Sequence, residues 1–241
     1  VYDSPCGGHF LSWRRNKVYG NSINAQIVWR YYENAIAASN ALIKSIDEQT
    51  ATEIQTEYLG VGYAFRAMHY LDLARMYEYL PCDATLPRSN TGKDILGLTV
   101  PIITENTTDE DLATLGRATR QEMFGFIQSD LQKAESLLAS YQRTSKRLPD
   151  LACVYGLQAR LHLWVEDYAE AARYARLAIE RSGAVPLSES EMLDTENGFN
   201  TMEPSSWMWG SQPYPTDRVV TSGIINWPSW MCNEATFGYT S

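Results

Sequence analysis

The chain has 241 residues, 44% of them hydrophobic and 20% charged, a globular composition large enough for one sizeable core or two closely packed domains. Lys and Arg number 20 against 29 Asp and Glu, a formal charge of −9, and the basic residues are scattered along the chain. Such a surface repels phosphate backbones and anionic lipid, which excludes nucleic acid as a partner.

The chain opens Val1-Tyr2-Asp3-Ser4-Pro5, with neither Met nor a basic, apolar leader; this is the start expected of a mature fragment. From about 22 to 182 the apolar period is helical. Ile27, Tyr31, Ala35, Ala38, Leu42 and Ile46 hold one helix face. Thr50 and Glu53 have capping-box spacing, and Ile54, Tyr58, Val61, Phe65 and Met68 follow as the face of a second helix reaching towards Pro81. Residues 81–116 hold three Pro, three Gly and a polar run through Asp109-Glu110-Asp111. They read as a long non-helical connection that is either functional or packed over the helices.

Thr119 and Glu122 repeat the capping box before a third helix, about 119–140, with Phe124, Ile127, Leu131, Ala134 and Leu138 on one face. After Pro149 a helix runs over 152–164, breaks at Glu166-Asp167, and is followed by another from Tyr168 to Gly183. Tyr155, Ala159, His162, Tyr168, Ala171 and Ala178 match tetratricopeptide spacing, in which small residues let two antiparallel helices approach closely. Ala67, Leu71, Ala74 and Pro81 echo the second half of that pattern. Beyond Gly183 the chain turns irregular and aromatic-rich, with Trp207, Trp209, Trp227 and Trp230. The fold class expected is therefore mainly α, with tetratricopeptide-like hairpins over 22–182, long loops and an irregular aromatic C-terminal segment. The uncharged run Val219–Cys232 is too short and polar to span a bilayer.

Chemistry-bearing motifs are scarce. His9, His69 and His162 have no metal-type spacing to one another or to Cys and carboxylates, so no metal or cofactor is expected. His69 and His162 lie within amphipathic helices and read as satisfied core histidines. Gly60-Val61-Gly62 is mid-helix and lacks the strand a phosphate loop follows. Cys6, Cys82, Cys153 and Cys232 allow three disulfide pairings, and Cys153, among Leu151, Val154 and Leu157, reads as a small core hydrophobe. Glu203, Asp217 and Glu234 are stray carboxylates from which a glycosidase pair could in principle be drawn, although nothing marks them as one. Asp109-Glu110-Asp111 reads as a solvated loop rather than a calcium site. Trp29 and Trp164 are assigned to the core, and Trp207-Met208-Trp209 to packing as a short strand.

At Arg66-Ala67-Met68-His69-Tyr70-Leu71-Asp72-Leu73, with Tyr77 and Pro81, the chain resembles the SusD/RagB family of outer-membrane nutrient-binding lipoproteins. Trp29-Arg30-Tyr31-Tyr32-Glu33-Asn34-Ala35-Ile36 with Asn40-Ala41-Leu42-Ile43, then Arg117-Ala118-Thr119 with Glu122-Met123-Phe124, Ile127, Asp130-Leu131 and Ala134, are similar to its motifs in the same order. So is the segment from Ala159 to Ile179, and the resemblance covers about 25–185. At 78 the family carries Gly and this chain Glu. Complete members are longer and begin at a lipidated Cys, an anchor that Cys6 is not, so residues are expected to be missing at both ends.

The resemblance implies a single domain over 1–241, with a scaffold over 22–185 and the start of a ligand-side region over 186–241. It implies a non-enzymatic, surface-exposed outer-membrane lipoprotein of a Gram-negative bacterium. Such a protein is peripheral to the membrane through an N-terminal lipid anchor absent from this chain, and it passes an oligosaccharide or similar nutrient to a SusC-like TonB-dependent transporter. The Arg66 guanidinium is implied to be held against carboxylates or helix ends of the scaffold. Ligand-binding residues implied by position or suggested by composition are Trp13, Arg14, Asn16 and Tyr19 before the first helix, and Trp227 and Trp230 beside Asn226 and Asn233; aromatic faces suit sugar C–H groups while amides and Arg satisfy hydroxyls. The competing function is a tetratricopeptide protein–protein interaction module, followed by a glycoside hydrolase.

Overall fold

The computed structural model describes residues 23–80, 87–89, 91–194 and 206–211, with backbone alone for 23–27. It is a helical scaffold: α1 (Ile23–Lys44), α2 (Glu53–Tyr77), the short α3 (Asp109–Thr114), α4 (Arg120–Leu137), α5 (Leu151–Trp164), α6 (Tyr168–Ser182) and the single turn α7 (Glu189–Met192). No strand is present among the described residues. The described residues divide into two compact units at Val185–Pro186, with Ser145–Leu148 belonging to the second.

In the first unit α2 is the central element, packed by α1, α4 and α5. It is buried around most of its circumference from Leu59 to Ala74. The single face expected from Ile54, Tyr58, Val61, Phe65 and Met68 is corrected accordingly: Ile54 is 64% exposed and Tyr58 is exposed, whereas Leu59, Tyr63, Tyr70 and Leu71 are buried. A helix enclosed on several sides has no single apolar stripe. On α1 the helix stands, but its buried side is Ile36, Ser39, Asn40 and Ile43, and Tyr31 is 63% exposed. The polar Asn40 belongs to the inward face because its hydrogen bonds are made there, Nδ2 donating to the Ile103 carbonyl at 3.0 Å, and Ser39 is tolerated beside it because its hydroxyl donates to the Ala35 carbonyl one turn back. Fully buried Leu59, Leu71, Met123, Ile127 and Leu131 form the centre of the core, each contributing about 1.5–3 kcal/mol on burial.

Gly60-Val61-Gly62 has a packing role. A Cβ on Gly60 would lie 2.8 Å from Leu138 Cγ, and one on Gly62 would lie 3.2 Å from Leu42 Cδ2, so both glycines admit neighbours that a larger residue would push away.

The cap of α2 is corrected by two residues. Its cap is Thr52, in a capping box with Gln55, while Thr50 closes a turn onto Asp47. The Thr119–Glu122 box opens α4 as its spacing requires. The 81–116 connection contains a helix that the Pro and Gly content argued against: Thr108 and Asp111 form a capping box and Asp109-Glu110-Asp111 is the first turn of α3. Three acidic side chains at a helix N-terminus are favoured by its partial positive charge. Farther back, Thr99 and Val100 are buried, so part of the connection packs over the helices.

α5 and α6 form the tetratricopeptide-like hairpin. Glu166 at φ 66° turns the chain, Asp167 caps α6, and Gly183 ends it in the left-handed region. Ala171 and Ala178 are buried at the seam and Ala159 is half-buried. Tyr174 stacks on His162 at 5.5 Å. In the second unit, Trp207-Met208-Trp209 is not a strand. Trp209 Nε1 donates to the Arg147 carbonyl at 3.1 Å and the Gly210 amide to that of Lys146 at 3.1 Å.

Candidate functional site

The residues singled out for ligand binding, Trp13, Arg14, Asn16, Tyr19, Trp227 and Trp230, lie outside the described residues, as do His9, Cys6, Cys82, Cys232, Glu203, Asp217 and Glu234. Among the described residues two polar centres and one cleft stand out, all in the first unit.

The deeper centre is built on Arg66, 2% exposed in the middle of α2. Its Nε and Nη2 donate to both oxygens of Asp130 on α4 at 2.7 and 2.8 Å. Its Nη1 donates to Asn40 Oδ1 of α1 at 2.9 Å and to the Glu105 carboxylate. Burial opposes the Arg66 charge, but Asp130 and Glu105 outweigh it and raise its pKa further. Burial pushes the Asp130 carboxyl up against the pull of Arg66, whereas Glu105, less buried, ends below the ordinary range through its bond to Arg66. Beside them the Tyr70 hydroxyl donates to the Ile103 carbonyl and accepts from its amide, both at 2.8 Å, and burial pushes its pKa up to about 12. One guanidinium thus ties three helices and the 99–105 segment together. This is the scaffold position the resemblance implied for Arg66.

The second centre gathers where α2 and α5 end and α4 begins. The Glu78 side chain is 2% exposed. It accepts from Arg120 Nε at 2.6 Å and Nη2 at 3.1 Å, and from Trp164 Nε1 at 3.0 Å. Glu78 stands at φ −63°, so the residue where the family carries Gly needs no left-handed backbone here. Trp164 is half-buried rather than core, with Arg120 over its ring at 5.6 Å. Arg117 Nε donates to the Thr99 carbonyl at 2.6 Å, and Nη2 to those of Tyr77 and Leu98 at 2.6 and 2.7 Å. Burial lowers its pKa.

The histidines differ from one another. His162 Nδ1 meets Asp167 Oδ2 at 3.1 Å, the satisfied core histidine expected. His69 lies buried against Phe65 and Tyr32, but its Nδ1 has no hydrogen-bond partner among the described residues, and burial lowers its pKa. Cys153 is a buried thiol that receives an N–H from Arg143 at 3.4 Å; burial pushes it up to about 11.

The cleft lies around Trp29, which is half-buried rather than core and meets Tyr77 edge to face at 5.0 Å. One cavity, of about 330 Å³, is lined by Glu33, Asn34, Asn40, Tyr70 and Ile103 among others. A second, of about 510 Å³, is lined by Tyr77, Glu78, Tyr79 and Arg117 among others. The two share Trp29, Val100 and Pro101 as a common wall. Sequence reasoning missed this cleft because Trp29 sits at a regular helical position, and the wall facing it comes from residues about 70 further along the chain.

A family model described as starch-binding and associating with the outer membrane, of SusD-like type, matches residues 8–163. The chain belongs to this SusD-like family. A SusD-like protein of Formosa agariphila is 27% identical over 176 residues, 72% of this chain and 30% of that protein. Among solved structures, a SusD-like carbohydrate-binding protein of Bacteroides vulgatus aligns at a TM-score of 0.64 and 22% identity, over 78% of this chain and 37% of that one. A SusD-like protein of Bacteroides fragilis aligns at 0.61 and 19%, over 84% and 36%. These likenesses establish the helical fold, and the SusD-like chain spans about a third of the length of the relatives it matches. Among its described residues no helix is long and apolar enough to cross a membrane, and no three His, Cys, Asp or Glu side chains gather as a metal set.

Proposed function

We propose that this SusD-like chain serves in non-catalytic capture of glycans or similar oligomeric nutrients at the outer surface of a Gram-negative outer membrane, held there by a lipid anchor. Captured oligosaccharide passes to a SusC-like TonB-dependent transporter. The observation that carries the reading is the match of 8–163 to a family described as starch-binding and associating with the outer membrane. The scaffold is consistent with it: the described buried charges Arg66, Asp130 and Glu78 are bound to one another or to neighbouring side chains that fix helices, which suits a rigid support for loops.

In this reading residues 22–185 are the scaffold and 186–241 begin the ligand side of a single domain. Trp13 and Trp227 with Trp230 supply stacking faces, while Arg14, Asn16 and Tyr19 satisfy hydroxyls. Isothermal titration of the chain against a glycan panel and a peptide panel tests it. Saturable glycan binding without release of shorter sugars is the expected result. Peptide binding with no glycan binding would transfer the chain to the interaction-module class, and sugar release would make it a hydrolase. Single Trp13→Ala, Trp227→Ala and Trp230→Ala variants should lose affinity by about 1–2 kcal/mol at unchanged Tm; a Tm collapse would assign the rings to packing.

A further inference from the structure

We infer that the cleft around Trp29 is itself a saccharide subsite, taking a neutral sugar unit in each of the two cavities the residue lines; this rests on the glycan-binding reading above and goes beyond its assigned residues. The cavities, about 330 and 510 Å³, fall within the size range of ligand pockets, which are mostly apolar with a few placed polar groups. Their shared wall is aromatic and apolar: Trp29, Val100 and Pro101. A ring that lines two cavities of this size offers aromatic surface to consecutive units of one chain, whose C–H faces pack on it.

The polar groups at the two ends keep hydrogen-bonding capacity and carry opposite charge. Glu33 and Asn34 are exposed and make no hydrogen bond among the described residues, so carboxylate and amide are open to sugar hydroxyls. At the other end Arg117 uses Nε and Nη2 on three carbonyls, leaving Nη1 to donate to a hydroxyl oxygen, while the nearby Glu78 charge is matched by Arg120. A polyanion would meet Glu33 at one end and a polycation Arg117 at the other, so the charge pattern selects an uncharged chain. Asn40 and Tyr70, already bonded to Arg66 and Ile103, keep the floor rigid.

The test uses the full chain and a panel of neutral hexasaccharides (α-glucan, β-glucan, mannan, xylan) beside an oligouronate. The neutral oligosaccharide that binds best is then titrated into Glu33→Ala, Asn34→Ala and Trp29→Phe. Glu33→Ala and Asn34→Ala alter exposed side chains without described partners and should keep the wild-type Tm. Each should weaken binding by about tenfold or more, the scale of a lost polar contact to a bound ligand. Trp29→Phe retains an aromatic ring at the Tyr77 contact with a smaller stacking face, and should weaken it as well. Wild-type affinity in both Glu33→Ala and Asn34→Ala would overturn the subsite while leaving the glycan reading standing. Binding of the oligouronate alone would overturn the neutral assignment. No binding by the wild-type chain to any member would overturn subsite and glycan reading together.

Discussion

Replacing Arg66 by Ala removes the cation on which α1, α2, α4 and the 99–105 segment converge. Asp130, whose side chain is 3% exposed, loses both of its described hydrogen bonds and keeps its burial. Breaking a buried pair from one side costs about 3–5 kcal/mol, because the remaining charge is uncompensated. At about 2–4 °C per kcal/mol for a domain of this size, Tm should fall by roughly 6–20 °C. The loss also has a pH signature. Burial already pushes the Asp130 carboxyl up, and without Arg66 nothing comparable opposes it. A carboxyl with a folded pKa above its unfolded value destabilises once both states are ionised, and the penalty fades as pH falls through the folded pKa. The gap between variant and wild type should therefore narrow as pH falls from neutral through the raised pKa of that carboxyl. In the wild type Glu105 behaves oppositely. Its folded pKa is lowered, so its contribution is present above the ordinary carboxylate pKa and lost as acid titrates it. Differential scanning calorimetry from neutral pH to below the ordinary carboxylate pKa reads both effects. Arg66→Met with Asp130→Leu should recover part of the loss, since an apolar pair of similar volume removes the deeply buried charge and leaves only Glu105, 17% exposed, without its cation. An Arg66→Ala variant melting within about 2 °C of wild type at pH 7, well short of that shift, would refute the account.

Gly60→Ala should lower Tm even though Ala gains about 1 kcal/mol of helix propensity, because its Cβ would sit 2.8 Å from Leu138 Cγ and 3.0 Å from Leu137 Cβ. Gly125→Ala, with nothing within 4 Å, should raise Tm by the equivalent of about 0.5–1 kcal/mol; a rise in both would show that α4 yields freely. Ala171→Leu should overpack the α5–α6 seam and cost about 1–3 kcal/mol in urea denaturation, and an unchanged midpoint would refute close packing there. Alkylation of Cys153 at pH 8, followed by mass spectrometry, should proceed slowly in the native chain and rapidly in denaturant, since the thiol is 4% exposed and its pKa is raised to about 11. Equal rates would place the α5 start at the surface.

The sequence by itself determined the helical class, the order of the helices, the cap of α4, the break at Glu166-Asp167 and the family, because all of these are local: a 3.6-residue period, a side chain reaching three residues along, a motif read in order. Its errors are equally physical. The face of α1 was misjudged because apolar periodicity does not count Ser39, whose hydroxyl is satisfied by its own helix, or Asn40, which is inward for its hydrogen bonds. The face of α2 was misjudged because a helix surrounded by others buries several faces. α3 was missed because a capped turn of six residues lies below the reach of composition. Only the tertiary structure decided which carboxylates answer Arg66, since Asp130 and Glu105 are 64 and 39 positions away. The same holds for Arg120 and Trp164, which converge on Glu78, and for Trp29, which lines two cavities. Partners brought together by packing at such separations leave no spacing in the sequence to be read.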